Sequence, residues 1–202
     1  MCNLQSPTRH APLLILSLAA LLSIALITAL ALGWNDPRPG RPADWTDPTL
    51  PRRLEAQPEG TAVSLLDQPR EDFTFEILAQ PVAAPESGFY GYGLAYRAQD
   101  SSRYYAFAVG GDGYYAVLRV DGAQEISLVP WQQFPHIRRG RQPNRLRVTC
   151  AGAVCEFAIN DEYAATIEDG TWLSGDVGLW ARGFDEGAAF DFSAARLWAL
   201  DR

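Results

Sequence analysis

The sequence contains no lysine, since all 17 basic residues of its 202 are arginine. A chain without lysine cannot form a P-loop for nucleotide phosphates, a Schiff base with a carbonyl substrate or a Ser-Lys catalytic dyad. Histidine is also scarce, because only His10 and His136 occur. This shortage argues against zinc sites built from several histidines. Several classes of enzyme are therefore removed before any motif is considered.

Beyond the N-terminal region, acidic residues outnumber basic ones. The residues after position 33 contain 16 arginines and 24 acidic residues. Nucleic-acid binding needs clustered cations that neutralise phosphates. The charge balance therefore predicts that no nucleic acid is a partner of this chain.

One long apolar run lies near the N-terminus, at residues 11–33. Its 22 positions from Ala11 to Leu32 carry no charge. As a helix they would extend roughly 33 Å, which is enough for a bilayer core of about 30 Å. The apolar core of a signal peptide is shorter, about 7–15 residues, although Ala29-Leu30-Ala31 would suit cleavage. We predict a cytoplasmic segment at residues 1–10, followed by a transmembrane anchor or signal sequence at 11–33.

The orientation of this segment is predicted from the size of the domain that follows it. Charge alone favours the opposite orientation, because Arg9 is the only basic residue before the run and Arg38 and Arg41 follow it. An N-terminal apolar segment normally exports a large folded domain, and the cysteines described below agree with export. The prediction is a single-pass membrane protein with an extracytoplasmic C-terminal domain, or a secreted protein if the segment is cleaved.

Proline is concentrated between the apolar run and the rest of the chain. Six of the 14 prolines fall within residues 34–58. Proline fixes φ and cannot propagate a helix or a central strand, so this segment is predicted to be an extended linker. Trp45 and Leu50 are apolar positions within it that could dock on the domain as part of a first strand.

Apolar residues alternate with a period of two throughout residues 59–202. The alternating segments are five to nine residues long and are separated by Gly, Asp, Pro or Asn, which is typical of antiparallel strands. No helical period is found in this region. The fold class predicted is all-β, a two-sheet antiparallel jelly-roll sandwich. The predicted strands are 62–66, 73–79, 90–97, 104–109, 114–120, 125–129, 145–150, 154–160, 163–167, 177–182 and 189–197.

One hairpin is predicted around Asp112-Gly113. This pair favours a two-residue turn with positive φ at both central positions. Such a turn would place Val109 opposite Ala116. Tyr104 would then share a face with Tyr115 and Arg119.

A second hairpin brings Cys150 opposite Cys155. That register also places Val148 against Phe157, so that the large apolar side chains share one face. We predict a disulfide between the two cysteines, with two buried thiols as the alternative. A stable disulfide indicates an oxidising compartment.

The order of several short segments resembles the concanavalin A-like lectin/glucanase superfamily. The nearest likeness is to laminarin-type jelly rolls labelled as 3-keto-disaccharide hydrolase or family 16 glycoside hydrolase domains. It covers roughly residues 59–200 and implies a jelly roll with a concave sheet on which relatives place ligands, without implying activity. The segments that carry it are 92–97, 104–109, 112–119, 130–131, 144–148, 157–160, 175–179 and 190–192.

The catalytic signature of family 16 hydrolases, Glu-x-Asp-x-x-Glu, is missing from the chain. Glycoside hydrolysis needs two carboxyl groups about 5–10 Å apart beside the same sugar. The acidic pairs Asp161-Glu162, Glu168-Asp169 and Asp185-Glu186 fall at turns or strand ends, where solvated side chains are expected. We therefore predict no catalytic residue, no metal and no cofactor. A Ca²⁺ site involving Asp185, Glu186 or Asp191 is the alternative.

The connection around residues 134–141 contains the chain's second histidine and a short basic cluster. His136 has no serine or cysteine motif nearby and is interpreted as a surface residue. The cluster Arg138-Arg139-Gly140-Arg141 is interpreted as a solvated loop that could contact acidic polysaccharide or lipid headgroups.

Aromatic side chains remain as the candidates for ligand binding. Sugars present flat C–H faces that pack on tyrosine and tryptophan. We predict a binding surface from Tyr104, Tyr115 and Arg119, with Trp131 nearby; packing within the sandwich is the alternative role. The hypothesis is a membrane-tethered, extracytoplasmic and non-catalytic module that binds carbohydrate or a protein partner. The alternatives are a glycoside or keto-disaccharide hydrolase, and a structural or sensor domain without a small ligand.

Overall fold

A computed structural model describes residues 11–31 and 42–200 of the chain. These residues belong to two units, Met1–Arg38 and Pro39–Arg202. The predicted cytoplasmic segment at 1–10 and the first part of the predicted linker, 34–41, lie outside the described residues.

The first unit contains one helix, α1 (Ala11–Ala31), which has no charged residue. Side chains are described for Ile15 and residues 18–28, and all of them are exposed. The Ser23 hydroxyl donates a hydrogen bond to the carbonyl oxygen of Ala19, one turn earlier. Of the helices in the described residues, none has both the length and the apolar character that a membrane crossing requires. The anchor at 11–33 stays a prediction.

The second unit consists of 13 strands in two antiparallel sheets, without a helix between residues 42 and 200. The predicted all-β sandwich is confirmed, and each of the 11 predicted strands is found within a few residues of its predicted bounds. The strands are β1 (Trp45–Thr46), β2 (Arg52–Ala56), β3 (Thr61–Leu65), β4 (Phe73–Ala83), β5 (Tyr90–Asp100), β6 (Arg103–Val109), β7 (Tyr114–Asp121), β8 (Gln124–Gln133), β9 (Asn144–Ala151), β10 (Val154–Ile159), β11 (Glu162–Glu168), β12 (Asp176–Gly183) and β13 (Ala188–Ala199).

The two sheets have different strand orders. Sheet A runs β1-β13-β4-β9-β10-β11, with β2 also paired to β13, and sheet B runs β3-β12-β5-β6-β7-β8. The chain therefore crosses between the sheets several times, for example from β4 to β5 and from β12 to β13. Both of these crossings lie at the same end of the sandwich, because Gly183 pairs with Tyr90 and Ala189 pairs with Ala83.

The sandwich begins before residue 59, where the predicted linker would have ended. Trp45 pairs with Leu197, and Arg52 pairs with Phe192, so both short strands lie along the edge of β13. Trp45 and Leu50 pack against the core, as the sequence predicted for them. The prolines at 48, 51 and 58 lie outside both strands. Proline therefore interrupts this segment without preventing its pairing.

The main core lies between the two sheets and is rich in aromatic residues. Rings of sheet B contact rings of sheet A: the centroids of Tyr92 and Phe190 are 5.0 Å apart, and those of Phe107 and Phe157 are 4.9 Å apart. A second, smaller cluster lies on the outer face of sheet B, around Trp180. The central strands of sheet B, β5, β6 and β7, are therefore largely buried on both faces.

The register of the hairpin between β6 and β7 differs from the prediction by one residue. Val109 pairs with Tyr115, not with Ala116. The Gly110 amide donates to the carbonyl of Tyr114, and the Gly113 amide donates to the carbonyl of Gly110. Within this turn only Gly113 has a positive φ, +93°. The connection is therefore a three-residue loop, and it shifts β7 by one position.

The hairpin of β9 and β10 has the predicted register, and its disulfide is confirmed. Cys150 pairs with Cys155 and is bonded to it. Val148 pairs with Phe157 and both are fully buried. The apolar pattern and the cysteines required the same register, and for this reason the prediction is correct.

Candidate functional site

The one-residue shift separates the four side chains predicted to form a binding surface. Successive residues of a strand point to opposite faces, so a slip of one residue moves a whole set of side chains. Tyr115 and Arg119 lie on the inner face of sheet B. Tyr104 and Trp131 lie on the outer face, where they contact the cluster around Trp180. The four residues therefore do not share one face of sheet B.

Tyr115 is part of the core. Its side chain is 3% exposed, and its hydroxyl donates a hydrogen bond to the carbonyl oxygen of Ala164 at 3.0 Å. The same hydroxyl accepts one from the Gln132 amide at 2.8 Å. Burial raises the pKa of this phenol. With its ring buried and its hydroxyl satisfied, Tyr115 has no surface to offer a ligand.

Arg119 is held by Asp169 at the opposite end of the sandwich from the cleft described below. Its guanidinium donates to the Asp169 carboxylate and to the Thr171 hydroxyl. The Tyr105 hydroxyl donates to the same carboxylate at 2.7 Å. Burial opposes the ionisation of Asp169, but hydrogen bonds from Thr171 and Tyr105 and the positive charge of Arg119 hold its pKa below the usual value. Asp169 is thus a structural anion and not the solvated turn residue that was predicted.

The outer face of sheet B is filled by the protein's own side chains. Trp180 is fully buried there, and its indole nitrogen donates to the Tyr104 hydroxyl at 3.4 Å. The guanidinium of Arg182 lies 5.3 Å from the centre of the Trp180 ring and pairs with Glu125. Tyr104 is 3% exposed. A sugar could therefore not stack on Tyr104 or Trp180 without displacing these groups.

An aromatic cleft of about 420 Å³ opens at one end of the sandwich. Its wall is formed by the loops 84–89, 110–113 and 184–187 and by the adjoining ends of β5, β7 and β8. Trp131 is the one predicted site residue that lines it. We call this the aromatic cleft, and its lining residues are Phe89, Tyr90, Asp112, Tyr114, Trp131 and Phe184.

Three rings fix the shape of the aromatic cleft. Phe89 and Phe184 stack with their centroids 4.5 Å apart, and Trp131 meets Phe184 edge to face at 6.1 Å. Phe89 is 49% exposed, and Trp131 is partly buried. Stacked and edge-to-face pairs of this kind stabilise each other beyond their buried area. The cleft therefore presents a preformed aromatic surface to solvent.

Two glycines allow the loops around the aromatic cleft to meet. Gly88 has φ +75°, and a Cβ atom on it would clash with the backbone amide of Asp112. Gly113 has φ +93° and closes the hairpin. The Asp112 carboxylate accepts a hydrogen bond from the Tyr114 amide at 3.2 Å. A larger residue at position 88 would push the loop 84–89 away from the hairpin that carries Asp112.

A second cavity, of about 390 Å³, adjoins the aromatic cleft and is lined by the same phenylalanine pair. We call it the polar cavity. It shares Phe89 and Phe184 with the cleft, and its other lining residues are Glu59, Thr61, Arg182, Gly183 and Asp185.

The loop 134–143 reaches the same end of the sandwich and carries the basic cluster. Arg138, Arg139 and Arg141 are exposed, as is His136. The buried amide of Asn144 holds this loop by accepting from the Arg138 amide at 2.9 Å and donating to its carbonyl at 2.8 Å. The basic cluster is therefore a fixed part of the rim.

The alternative Ca²⁺ site is not supported by the described side chains. Asp191 makes a two-pronged pair with Arg53, at 2.8 and 3.2 Å, and this hydrogen bonding lowers its pKa. Across residues 42–200, no group of three His, Cys, Asp or Glu side chains could hold a metal ion.

Sequence reasoning missed five of the six residues that line the aromatic cleft. Phe89 and Phe184 each follow a glycine in a short loop, outside the alternation that defines the strands. A large apolar residue that no strand or helix period explains is a signal of surface function. Applied to this chain, that signal would have found both phenylalanines.

Comparisons with known proteins identify the fold. No known family matches the sequence, and no curated protein matches it. The structure is similar to the carbohydrate-binding module CBM66 from Bacillus subtilis, with 14% identity and a TM-score of 0.61, over 78% of this chain and 97% of that module. It is also similar to the carbohydrate recognition domain of Emp47p, with 12% identity and a TM-score of 0.53, over 78% of this chain and 93% of that domain.

A third similarity is to part of an enzyme. The GH43 protein BlXynB from Bacillus licheniformis matches with 16% identity and a TM-score of 0.54, over 73% of this chain but only 32% of that protein. At such identities a likeness shows the fold alone. The chain therefore has a two-sheet antiparallel β-sandwich fold similar to that of these proteins, which is the kind of fold that its resemblance to the concanavalin A-like superfamily implied.

Proposed function

We propose that this chain is a non-catalytic carbohydrate-binding module and that the sugar lies in the aromatic cleft. The observation that carries the proposal is the preformed arrangement of Phe89, Phe184 and Trp131 around an open cavity of about 420 Å³. Sites for small ligands combine an apolar or aromatic wall with a few fixed polar groups. The similar fold of a carbohydrate-binding module supports the same conclusion.

The cleft offers both kinds of contact that a sugar ring needs. The C–H face of the ring would pack on Trp131 or on the exposed face of Phe89. The carboxylate of Asp112 would accept hydrogen bonds from sugar hydroxyls, and the hydroxyl of Tyr114 could donate or accept. Because the Asp112 carboxylate is already oriented by the Tyr114 amide, little ordering is required on binding.

Binding without catalysis is favoured by the number of carboxylates in the cleft. Among the described residues that line it, Asp112 alone carries one. A glycosidase needs an acid together with a nucleophile or base on the same sugar. The cleft can therefore hold and orient a sugar, but it lacks the pair of groups that would hydrolyse it.

The test is glycan binding by the full-length chain in detergent, first on a glycan array and then by affinity electrophoresis with the best ligand. We expect Trp131→Ala and Phe184→Ala each to weaken binding about tenfold, the equivalent of about 1.4 kcal/mol. Tyr163→Ala is the matched control, because Tyr163 is an aromatic residue on β11 that is 60% exposed. Binding that survives both cleft substitutions would contradict the proposal, as would binding of a protein partner but no glycan.

We also propose that residues 11–33 tether the domain to a membrane, with the sandwich on its extracytoplasmic side. The uncharged run and the disulfide support this placement. Cell fractionation should find the full-length chain with membranes, and protease added outside the membrane should remove the sandwich. N-terminal sequencing that begins after residue 31 would show a cleaved, secreted protein instead.

A further inference from the structure

Two cavities of similar size are lined by the same pair of stacked rings. The aromatic cleft has a volume of about 420 Å³ and the polar cavity about 390 Å³. Phe89 and Phe184 line both of them. The stacked pair is therefore a ridge between two neighbouring compartments that share no other side chain.

The polar cavity differs from the aromatic cleft in chemistry. Glu59 and Asp185 contribute carboxylates to it, and both residues are exposed. Among the described residues, no salt bridge involves Glu59 or Asp185. Each carboxylate can therefore accept hydrogen bonds from several hydroxyl groups.

Arg182 is the cation of the polar cavity, and it is already engaged. Its Nε donates to the Thr61 hydroxyl at 3.0 Å, and its terminal nitrogen pairs with Glu125 on β8. These bonds hold the guanidinium in place and balance its charge. The cavity is therefore acidic overall, which opposes a carboxylated or sulfated ligand.

The walls of the polar cavity are fixed by backbone hydrogen bonds between two loops. The Glu59 amide donates to the carbonyl of Phe184 at 2.6 Å, and the Gly183 amide donates to the carbonyl of Gly60 at 3.0 Å. Glu59 has φ +53°, a conformation that non-glycine residues adopt only when the surrounding structure imposes it. The Glu59 side chain is thus placed by a rigid connection.

We propose that the aromatic cleft and the polar cavity are adjacent sugar subsites and that the ligand is an uncharged oligosaccharide of at least two rings that crosses the Phe89–Phe184 ridge. One ring packs in the aromatic cleft, and the next places its hydroxyls against Glu59 and Asp185. This inference rests on the proposed function of the cleft. Beyond that function, it specifies that the ligand has at least two sugar rings and carries no charge.

The test measures affinity against ligand length by calorimetry, with the full-length chain in detergent. The probes are laminari-, cello- and xylo-oligosaccharides of one to four rings. We expect the affinity for the preferred series to rise at least tenfold from one ring to two. The variant Glu59→Gln/Asp185→Asn should lose that rise and keep the wild-type affinity for one ring, whereas Trp131→Ala should weaken every length.

The control variant is Glu162→Gln/Glu168→Gln, which neutralises two exposed carboxylates of β11 and should bind like wild type. Thermal unfolding of each variant checks that it is folded. An affinity that does not depend on length, while Trp131→Ala still abolishes binding, would overturn this inference and leave the proposed function standing. Preferred binding of a uronic acid or sulfated oligomer would overturn it too, as would release of shortened products.

Discussion

Phe89 and Phe184 stack with their ring centroids 4.5 Å apart and their planes inclined by 28°. The two rings come from different loops: Phe89 ends the connection from β4 to β5, and Phe184 begins the connection from β12 to β13. Each of these loops carries the chain from one sheet to the other. The stack therefore brings the β4–β5 and β12–β13 connections into contact at the end of the sandwich. It also gives that end an exposed aromatic surface.

The rings of the outer face of sheet B have a different role, which Trp180→Ala would reveal. Trp180 is fully buried, so its loss would leave a large cavity and lower the free energy of unfolding by about 3–5 kcal/mol. Urea unfolding at neutral pH measures this. Trp131→Ala is the comparison, and it should cost less because Trp131 is only partly buried. If the two variants lost equal free energy of unfolding, Trp180 would not be the centre of a packed cluster.

Arg119 should matter for stability and not for sugar binding. Its side chain is 20% exposed and that of Asp169 is 11% exposed. Arg119→Ala would leave the carboxylate without its cation and should lower the free energy of unfolding by about 1–3 kcal/mol. Arg103→Ala is the control, since the Arg103–Asp100 pair is on the surface and should contribute less than 1 kcal/mol. A loss of glycan binding in folded Arg119→Ala would contradict this assignment.

The lowered pKa of Asp169 predicts a pH dependence of stability. The pKa of Asp169 is lower in the folded protein than in the unfolded chain, so its ionised carboxylate stabilises the fold at pH values above the unfolded-state pKa of aspartate. That contribution is lost as the pH falls through this value towards the folded-state pKa. Asp169→Asn should therefore be less stable than wild type at pH 7 and show a shallower decline in acid. Urea unfolding at several pH values compares the two, and parallel curves would refute the prediction.

The disulfide can be tested by counting thiols. The chain has three cysteines, and Cys150 is bonded to Cys155. Under denaturing, non-reducing conditions one thiol per chain, that of Cys2, should react, and three should react after reduction. The free energy of unfolding of the variant Cys150→Ala/Cys155→Ala should be about 2 kcal/mol lower than that of wild type, because its unfolded chain is less constrained. Three reactive thiols before reduction would remove the argument for an oxidising compartment.

The two hairpins show when the sequence predicts a strand register and when it does not. Around Cys150 and Cys155, the apolar alternation and the cysteine pair allow one register only, and that register is found. Around Gly113, the run Gly110-Gly111-Asp112-Gly113 permits a loop of two or three residues. Alternation could not decide between them, because β6 and β7 are buried on both faces. The tertiary contacts of Tyr115 and Arg119 decided it.

The sequence by itself determined 11 of the 13 strands, the two-sheet class and the disulfide, because each depends on alternation or pairing between neighbouring segments. Tertiary structure alone decided the site. Phe89, Asp112, Trp131 and Phe184 come from four separate connections or strand ends, and only the crossings between the sheets bring them together. Local periodicity records which face of a strand is buried, but it does not record which loops meet at the end of a sandwich.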